Sequence, residues 1–219
     1  TAQFKWGIQT YSSHMILAKG EEADNYFKDA QGNLLRRWYG YGRGGTPMGG
    51  SEDEGRLPKY FGVKYYEVVE NKFYKLTDAV LPQQRIYDLF REKTVEDFSG
   101  KVISRYDQIQ VSLLPQGVVW IFADGLGNRR ELGLYQTKEM SDMTVERFNL
   151  SEGMYGRPLS TPLESRDEDL SFYTPYLLEP LKSSWMPSAN YYVNTARIRY
   201  PYRFDMSGNG VLTEFAVWY

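Results

Sequence analysis

The chain contains one histidine, His14, and no cysteine among its 219 residues. A lone histidine can serve as the general base of a Ser–His–Asp triad, but it cannot supply a metal site that needs several histidines. The absence of cysteine excludes thiol nucleophiles, cysteine zinc sites and iron–sulfur clusters within these residues. Ser51 has Gly49 two residues before it but Asp53 two residues after it, so it does not match the Gly-x-Ser-x-Gly turn of a nucleophilic serine. We therefore predict that His14 is a surface or structural residue.

Two acidic clusters, Glu52-Asp53-Glu54 and residues 164–169, are the other groups that could do chemistry. A pair of carboxylates at a suitable separation can act as acid and base in a glycosidase. Charge runs in polar loops are more often simply solvated. A loop of this kind can also dock onto a protein partner, because opposite charge speeds association. The sequence leaves these three interpretations open.

Two loop patterns suggest ligand sites, and each has a simpler explanation. Residues 40–45 match Gly-x-Gly-x-x-Gly, but residues 46–50 cannot begin the helix that would hold a pyrophosphate, so we predict a loop. Residues 205–210 resemble the start of a calcium loop, yet position 12 of that loop is Ala216 instead of a bidentate Glu. We predict a hairpin turn there, and neither a metal nor a cofactor.

A nucleic-acid interface is the last chemical alternative. Arg197, Arg199 and Arg203 could accompany aromatic side chains that stack on a single strand. The chain has 26 basic and 28 acidic residues, however, and lacks the excess of positive charge that is typical of such proteins. We predict no nucleic-acid partner.

The elements that position these residues are mostly strands. Alternation of apolar and polar residues, the pattern of a strand with one buried face, recurs along the chain. The segments that carry it are 4–8, 60–69, 72–81, 109–113, 132–136 and 196–204. Residues 118–122 form a continuous apolar run that is typical of a central strand. Asn209-Gly210 predicts a hairpin turn, since both positions must adopt φ > 0.

One clear helix is predicted over residues 82–93. Pro82 suits the first turn, and Ile86, Leu89 and Phe90 form an apolar stripe at i, i+3 and i+4. A weaker helix is predicted over residues 176–181. These elements predict an α+β fold: a mostly antiparallel β-sheet or sandwich with one or two helices. We expect a single domain over residues 1–219, with long loops at about 40–58 and 152–169.

Several segments within residues 1–136 resemble a family of short bacterial lipoproteins whose domain has no assigned function. The residues that carry the resemblance are Phe4-Lys5-Trp6-Gly7, Leu57-Pro58, the block from Phe61 to Tyr74, Val80-Leu81-Pro82, Ile86 with Leu89-Phe90, and the run from Gly117 to Ile121. The resemblance implies a periplasmic protein whose only membrane attachment is a lipidated Cys upstream of Thr1. Some members resemble immunity proteins encoded beside the phospholipase effectors of type VI secretion systems. It implies no catalytic residue.

The leading hypothesis that follows is a periplasmic immunity protein that binds a cognate toxin, a lipase effector, and blocks it sterically. Aromatic residues make up 16% of the chain. Those at alternate strand positions are explained by packing, so the aromatics in loops are the better candidates for contact with a partner. The predicted partner-binding residues are Trp38, Tyr39 and Tyr41 as anchors, Glu52, Asp53 and Glu54 as charged groups, and Tyr155, Arg157 and Asp167 in a second loop.

Two alternatives stay open. The chain could be a non-enzymatic envelope lipoprotein that binds a glycan or another envelope ligand through exposed aromatics such as Trp38. It could also be an enzyme that uses His14 or the acidic loops.

Overall fold

The computed structural model describes residues 3–12, 16–17, 25–38, 48–49, 53–67, 70–96, 99–126, 128–144 and 188–197. Within these residues the chain forms strands and two helices. In chain order they are β1 (Phe4–Ser12), β2 (Ile16–Leu17), β3 (Tyr26–Lys28), β4 (Leu34–Arg37), β5 (Met48–Gly49), β6 (Asp53–Gly55), β7 (Tyr60–Glu67), β8 (Lys72–Val80), α1 (Gln83–Arg91), β9 (Lys93–Val95), β10 (Val102–Ser104), β11 (Gln108–Leu114), β12 (Val118–Gly125), β13 (Asn128–Gln136), β14 (Lys138–Glu139) and α2 (Ala189–Arg197).

The first sheet has the strand order β13-β12-β11-β1-β5, and β6 also pairs with β1. Strands β11, β12 and β13 form an antiparallel meander, whereas β1 runs parallel to β11. The apolar run of β12 lies between two neighbours, and Val119 and Ile121 are fully buried. Trp6 and Ile8 on β1 are also buried, as their alternation predicts. The predicted central strand and the predicted first strand are therefore confirmed.

The second sheet has the order β14-β8-β7-β3-β4, with β2 also paired to β7, and all of its pairs are antiparallel. Only Thr137 separates β13 of the first sheet from β14 of the second. The chain therefore passes from one sheet to the other at this residue. Strands β9 and β10 form a separate hairpin, the β9–β10 hairpin, outside both sheets.

The two sheets share one core. Ile109 and Val111 from the first sheet and Phe61 and Val63 from the second belong to the same cluster of buried residues. Side chains on a strand alternate between its two faces, so every second residue of these strands points into this shared core. The other face of β7 and of β11 is buried as well. Each fully buried side chain of this size contributes about 1.5–3 kcal/mol. The predicted α+β fold with a mostly antiparallel sheet is confirmed.

Helix α1 packs against the core that the two sheets share. Its predicted apolar residues Ile86, Leu89 and Phe90 are buried. The ring of Phe4 lies edge-on to Tyr87, with centroids 5.4 Å apart, and edge-on to Phe90 at 6.5 Å. The helix thus packs against the start of β1 and leads directly into β9.

The segment 40–58 is not a structureless loop throughout, which corrects the sequence interpretation. Strands β5 and β6 both pair antiparallel with β1, with Met48 opposite Thr10 and Glu54 opposite Lys5. Strand β11 pairs with one edge of β1, and the short strands β5 and β6 pair with its other edge. Local residue patterns do not reveal this long-range pairing.

The C-terminal strand predicted over residues 196–204 is corrected at its start, because Arg197 is the last residue of α2. The Ser188 hydroxyl accepts the N–H of Tyr191 at 3.3 Å, as a helix N-cap does. Ala189 and Val193, four residues apart, are buried against the outer face of the first sheet. The helix predicted over 176–181, the hairpin at 209–210 and the loop at 152–169 lie outside the described residues.

A β-bulge changes the faces expected for β13. The register shifts between Ile121 and Phe122, so Trp120 pairs with Leu134 while Phe122 pairs with Glu131. The intervening Leu132 is buried in the core, whereas Leu134 lies on the outer face and is 39% exposed. The shared face predicted for Leu132 and Leu134 is therefore wrong, since a bulge adds one residue to one strand.

Candidate functional site

A polar depression of about 470 Å³ lies where the chain passes between the two sheets. The turn after β7, the turn between β11 and β12, and the crossover at Thr137 meet there. Its lining residues are Glu70, Lys72, Tyr74, Gln116, Gln136, Thr137 and Glu139. Ligand pockets are usually lined by apolar side chains with a few polar groups, whereas this lining is almost entirely polar, so the individual contacts decide what the depression can do.

Glu70 joins two turns that are far apart in the sequence. Its Oε2 accepts the hydroxyl proton of Tyr74 at 2.6 Å, and its Oε1 accepts the backbone N–H of Gln116 at 2.9 Å. Burial, reinforced by the hydrogen bond to Glu70, raises the pKa of Tyr74 well above its usual value. Tyr74 therefore stays neutral at physiological pH and acts as a hydrogen-bond donor, not as a base.

The crossover is joined to the same turn. The Thr137 hydroxyl donates to Gly117 O at 2.6 Å, and Gln136 Nε2 donates to Gln116 O at 2.7 Å. Gly117 has φ of 71°, and a Cβ on it would lie 2.7 Å from the ring of Tyr74 and would also collide with Thr137 Oγ1. Only glycine fits this turn, because both its backbone conformation and its surroundings exclude a side chain.

The remaining charged groups of the depression also bind each other. Lys72 Nζ lies 2.8 Å from Glu139 Oε2, and each side chain is 45% exposed. An exposed pair of this kind contributes little to stability. The hydrogen bonds of Glu70, Tyr74 and Thr137 connect strands and turns of the chain itself. We therefore interpret the polar depression as a structural junction between the sheets.

The structure places Trp38 in the core, which corrects its expected position on an exposed loop. Trp38 is 5% exposed and belongs to the buried cluster between the sheets. Its backbone N–H donates to Asn25 O at 3.1 Å, which continues the pairing of β4 with β3 by one residue. Because this ring is buried, it offers no stacking surface to a glycan or a protein partner.

Glu54 is exposed on β6, directly opposite Lys5 on β1. Asp53 belongs to the same strand and pairs with Trp6. The structure brings these two acidic positions onto the edge of the first sheet. The other predicted site residues, Tyr39, Tyr41, Glu52, Tyr155, Arg157 and Asp167, lie outside the described residues, and so does His14.

The β9–β10 hairpin exposes apolar side chains that the sequence interpretation missed. Val95 and Val102 lie directly opposite each other and are 57% and 63% exposed. Lys93 pairs with Ser104 on the same face, and Lys93 Nζ donates to Ser104 Oγ at 3.0 Å. The short alternation around Ser99-Gly100 was a signal for this hairpin, since β-branched residues flank a turn that contains Gly. We call Lys93, Val95, Val102 and Ser104 the valine face.

Within the described ranges, no three acidic or histidine side chains come together as metal ligands would. Neither helix in those ranges is both long and apolar enough to cross a membrane.

The comparisons with known proteins add one match. A family model described as "Protein of unknown function (DUF2931)" matches residues 2–162. The matched region contains all the described strands and α1, and it ends before α2 begins. No curated protein and no solved structure matches the chain.

Proposed function

The chain belongs to the DUF2931 family, and from this premise we propose that it is a periplasmic immunity protein. In this proposal it binds a secreted antibacterial toxin, a phospholipase effector, and blocks the toxin's active site sterically. The proposal includes a lipid anchor upstream of residue 1, through which the chain is held at the membrane.

The observation that carries the proposal is the position of Glu54. This residue was expected to give charge complementarity to a partner, and its side chain is exposed on a strand whose backbone is paired with β1. A charge held by a sheet edge costs less conformational entropy on binding than a charge on a free loop. Such a charge at an interface accelerates association and selects partners with a complementary surface.

The sequence resemblance gives separate support. The segments that resemble short bacterial lipoproteins, among them the immunity-like members, form strands of both sheets and the start of α1. They therefore belong to the framework that holds β6 in place. Steric blocking requires such a rigid framework, because a flexible inhibitor would lose affinity through the entropy of becoming ordered.

The burial of Trp38 weakens the alternative of glycan binding. That role needs exposed aromatic side chains for stacking, and the Trp38 side chain is 5% exposed.

The test uses the purified product of the gene adjacent to the gene of this chain. Fatty-acid release from phospholipid vesicles is measured with and without an equimolar amount of the chain, and complex formation is measured by light scattering coupled to gel filtration. We expect a stable complex and loss of lipase activity. A product that keeps its full lipase activity and forms no complex would contradict the proposal. A complex that neutralises a toxin without lipase activity would overturn the lipase assignment alone.

A charge variant tests the role of Glu54 within that assay. We expect Glu54→Lys to slow association several-fold, with a changed dependence on salt, because charges at an interface act mainly on the association rate. Glu139→Lys is the matched control, since Glu139 is also an exposed acid but lies on β14 in the other sheet. Equal association rates for the two variants would remove Glu54 from the interface.

A further inference from the structure

Helix α2 covers an apolar patch on the outer face of the first sheet. This patch is a buried cluster separate from the core between the sheets, and we call its four strand residues the outer patch: Leu114, Val118, Trp120 and Phe122. Among the described side chains of α2, Ala189 and Val193 are buried in the cluster, and Tyr192 is half-buried against it. The helix is therefore the described cover of the outer patch.

The apolar contact that α2 makes is small. Its side chains Asn190, Asn194 and Thr195 are exposed, so the polar side of the helix faces solvent. The helix has nine residues, and isolated helices of this length are marginally stable in water. The helical state of α2 therefore depends on its contact with the sheet.

Polar groups of the covered face lack hydrogen bonds. Trp120 Nε1 is buried and has no hydrogen-bond partner among the described residues. Gln110 lies opposite Phe122 and is 1% exposed, and its Oε1 is buried without a partner in the same way. A buried donor or acceptor without a partner costs free energy that hydration recovers. This cost weakens the closed position of the helix.

Arg197, the last residue of α2, attaches the helix to β13 and β12. Its Nε lies 3.1 Å from Glu131 Oε2, and its Nη2 lies 2.5 Å from Glu131 Oε1. Its guanidinium carbon lies 5.7 Å from the centroid of the Trp120 ring. The Arg197 and Glu131 side chains are 48% and 33% exposed, so dissolved salt screens their attraction.

The sheet beneath α2 has its own supports. Strands β11, β12 and β13 pair with each other, and their inner side chains belong to the core between the sheets. The family match over residues 2–162 includes the outer patch and Glu131, whereas α2 lies beyond it. The helix can therefore leave the sheet without removing a strand or a residue of the shared core.

We infer that α2 is a releasable strap on the first sheet. It closes over the outer patch through Ala189, Val193 and Arg197, and it opens while both sheets stay folded. Opening exposes Trp120 and Phe122 to solvent, and ionic strength shifts the balance because it screens the pair of Arg197 with Glu131. This inference goes beyond the proposed function and does not depend on it, since release is a property of the chain alone.

Thiol labelling measures the release, because the chain has no cysteine and each variant then carries a single thiol. Val193→Cys places the thiol in the buried contact, Asn194→Cys on the exposed side of the same helix, and Val119→Cys in the core between the sheets. Without denaturant, we expect Val193→Cys to react at least about tenfold more slowly than Asn194→Cys and at least about tenfold faster than Val119→Cys.

Either of two equalities would overturn the inference. If Val193→Cys reacts as slowly as Val119→Cys, α2 opens only when the whole protein unfolds. If Val193→Cys reacts as fast as Asn194→Cys, α2 does not close over the outer patch.

Charge variants in the Val193→Cys background test the contacts of Arg197. Arg197→Glu is expected to raise the labelling rate about threefold to tenfold, because it replaces attraction to Glu131 by repulsion and removes the cation from the Trp120 ring. Adding Glu131→Arg restores the pair with exchanged charges and should lower the rate again by at least about twofold.

Salt and a distant arginine complete the test. Sodium chloride at about 0.5 M should raise the labelling rate of Val193→Cys but not that of Val193→Cys with Arg197→Glu, since the second protein has no attraction to screen. Arg85→Glu is the matched control, because Arg85 is exposed on α1, and it should leave the rate unchanged. If Arg197→Glu raises the rate no more than Arg85→Glu does, the contacts of Arg197 do not hold the helix and the inference fails.

Discussion

Tyr26 holds Asp78 in a left-handed backbone conformation through two hydrogen bonds. The Tyr26 hydroxyl donates to Asp78 Oδ1 at 2.8 Å and accepts the Asp78 N–H at 3.2 Å. Asp78 has φ of 47°, which is unfavourable for a residue with a side chain. The Tyr26 ring covers Gly62, where a Cβ would collide with it. The register of β7 and β8 shifts at this point, so the pair stabilises an irregular part of the second sheet.

Removing the Tyr26 hydroxyl should destabilise the fold. Tyr26→Phe deletes both hydrogen bonds to Asp78 while keeping the ring over Gly62, so we expect a loss of about 1–2 kcal/mol in the free energy of unfolding. Urea denaturation followed by circular dichroism measures it. Tyr191→Phe is the control, since Tyr191 is 58% exposed. Equal midpoints for the two variants would show that the two hydrogen bonds between Tyr26 and Asp78 contribute nothing.

The second prediction concerns Gly117, whose surroundings in the polar depression leave no room for a side chain. Gly117→Ala brings a methyl group against Thr137 and the Tyr74 ring, in addition to the strain of a positive φ. Gly32→Ala carries a similar strain at φ of 83°, but nothing lies within 4 Å of its Cβ. We expect about 1 kcal/mol of destabilisation for Gly32→Ala and about 2–4 kcal/mol for Gly117→Ala, because overpacking adds to the strain. Equal losses in urea denaturation would contradict the role of Gly117 as a tightly packed junction.

Asp29 should make stability depend on pH in the acid range. Its Oδ1 accepts the N–H groups of Gln31 and Asn33, both at 2.9 Å, and its Oδ2 binds the Asn33 amide at 3.1 Å and Arg56 at 3.0 Å. The hydrogen bond from the Asn33 side chain is the main cause that lowers the pKa of Asp29 below its usual 3.8. The unfolded chain therefore takes up the proton first as the pH falls.

The stabilisation from Asp29 is thus present at pH values well above its ordinary pKa of 3.8 and is lost as the pH falls through that value and through the lowered pKa of the folded protein. Asp29→Asn should lower stability at pH 7 and flatten the dependence of stability on pH in the acid range, because its amide does not titrate. Urea midpoints across this range measure the effect, with Asp88→Asn as an exposed control. If Asp29→Asn follows the same curve as the unaltered protein at lower overall stability, another group causes the acid sensitivity.

The main strands and α1 could be predicted from the sequence because their signal is local. Alternation in β1 and the i, i+3, i+4 stripe of α1 arise from burying one face of an element, whatever that face packs against. Strand β7 is buried on both faces, and its apolar and aromatic residues still predict a strand. The ends of α1 were predicted to within two residues. Alternation wrongly predicts a strand at residues 196–197, which belong to α2. Ser188 caps this helix, and Ala189 and Val193, four residues apart, bury one side of it.

The candidate site could be predicted only in part. Glu54 was assigned to a partner-facing surface from its charge alone, and it is exposed on β6. Trp38 was assigned to the same surface because it stands next to a Gly-rich segment, yet it is buried. Aromatic residues serve equally in cores and at interfaces, so residue type does not separate the two. The exposure of Val95 and Val102 depends on which strands lie beside them, and the residue types do not predict those neighbours.

The sequence by itself determined the α+β class, the main strands of the two sheets, and the absence of cysteine chemistry within this chain, since these follow from composition and short-range periodicity. The tertiary structure alone decided the parallel pairing of β1 with β11, the filling of the open edge of β1 by β5 and β6, and the meeting of Glu70 with Gln116 across 46 residues. It also decided that the β9–β10 hairpin stands outside both sheets. The physical reason is that pairing partners and side-chain exposure result from contacts between segments far apart in the chain, and short-range patterns do not encode them.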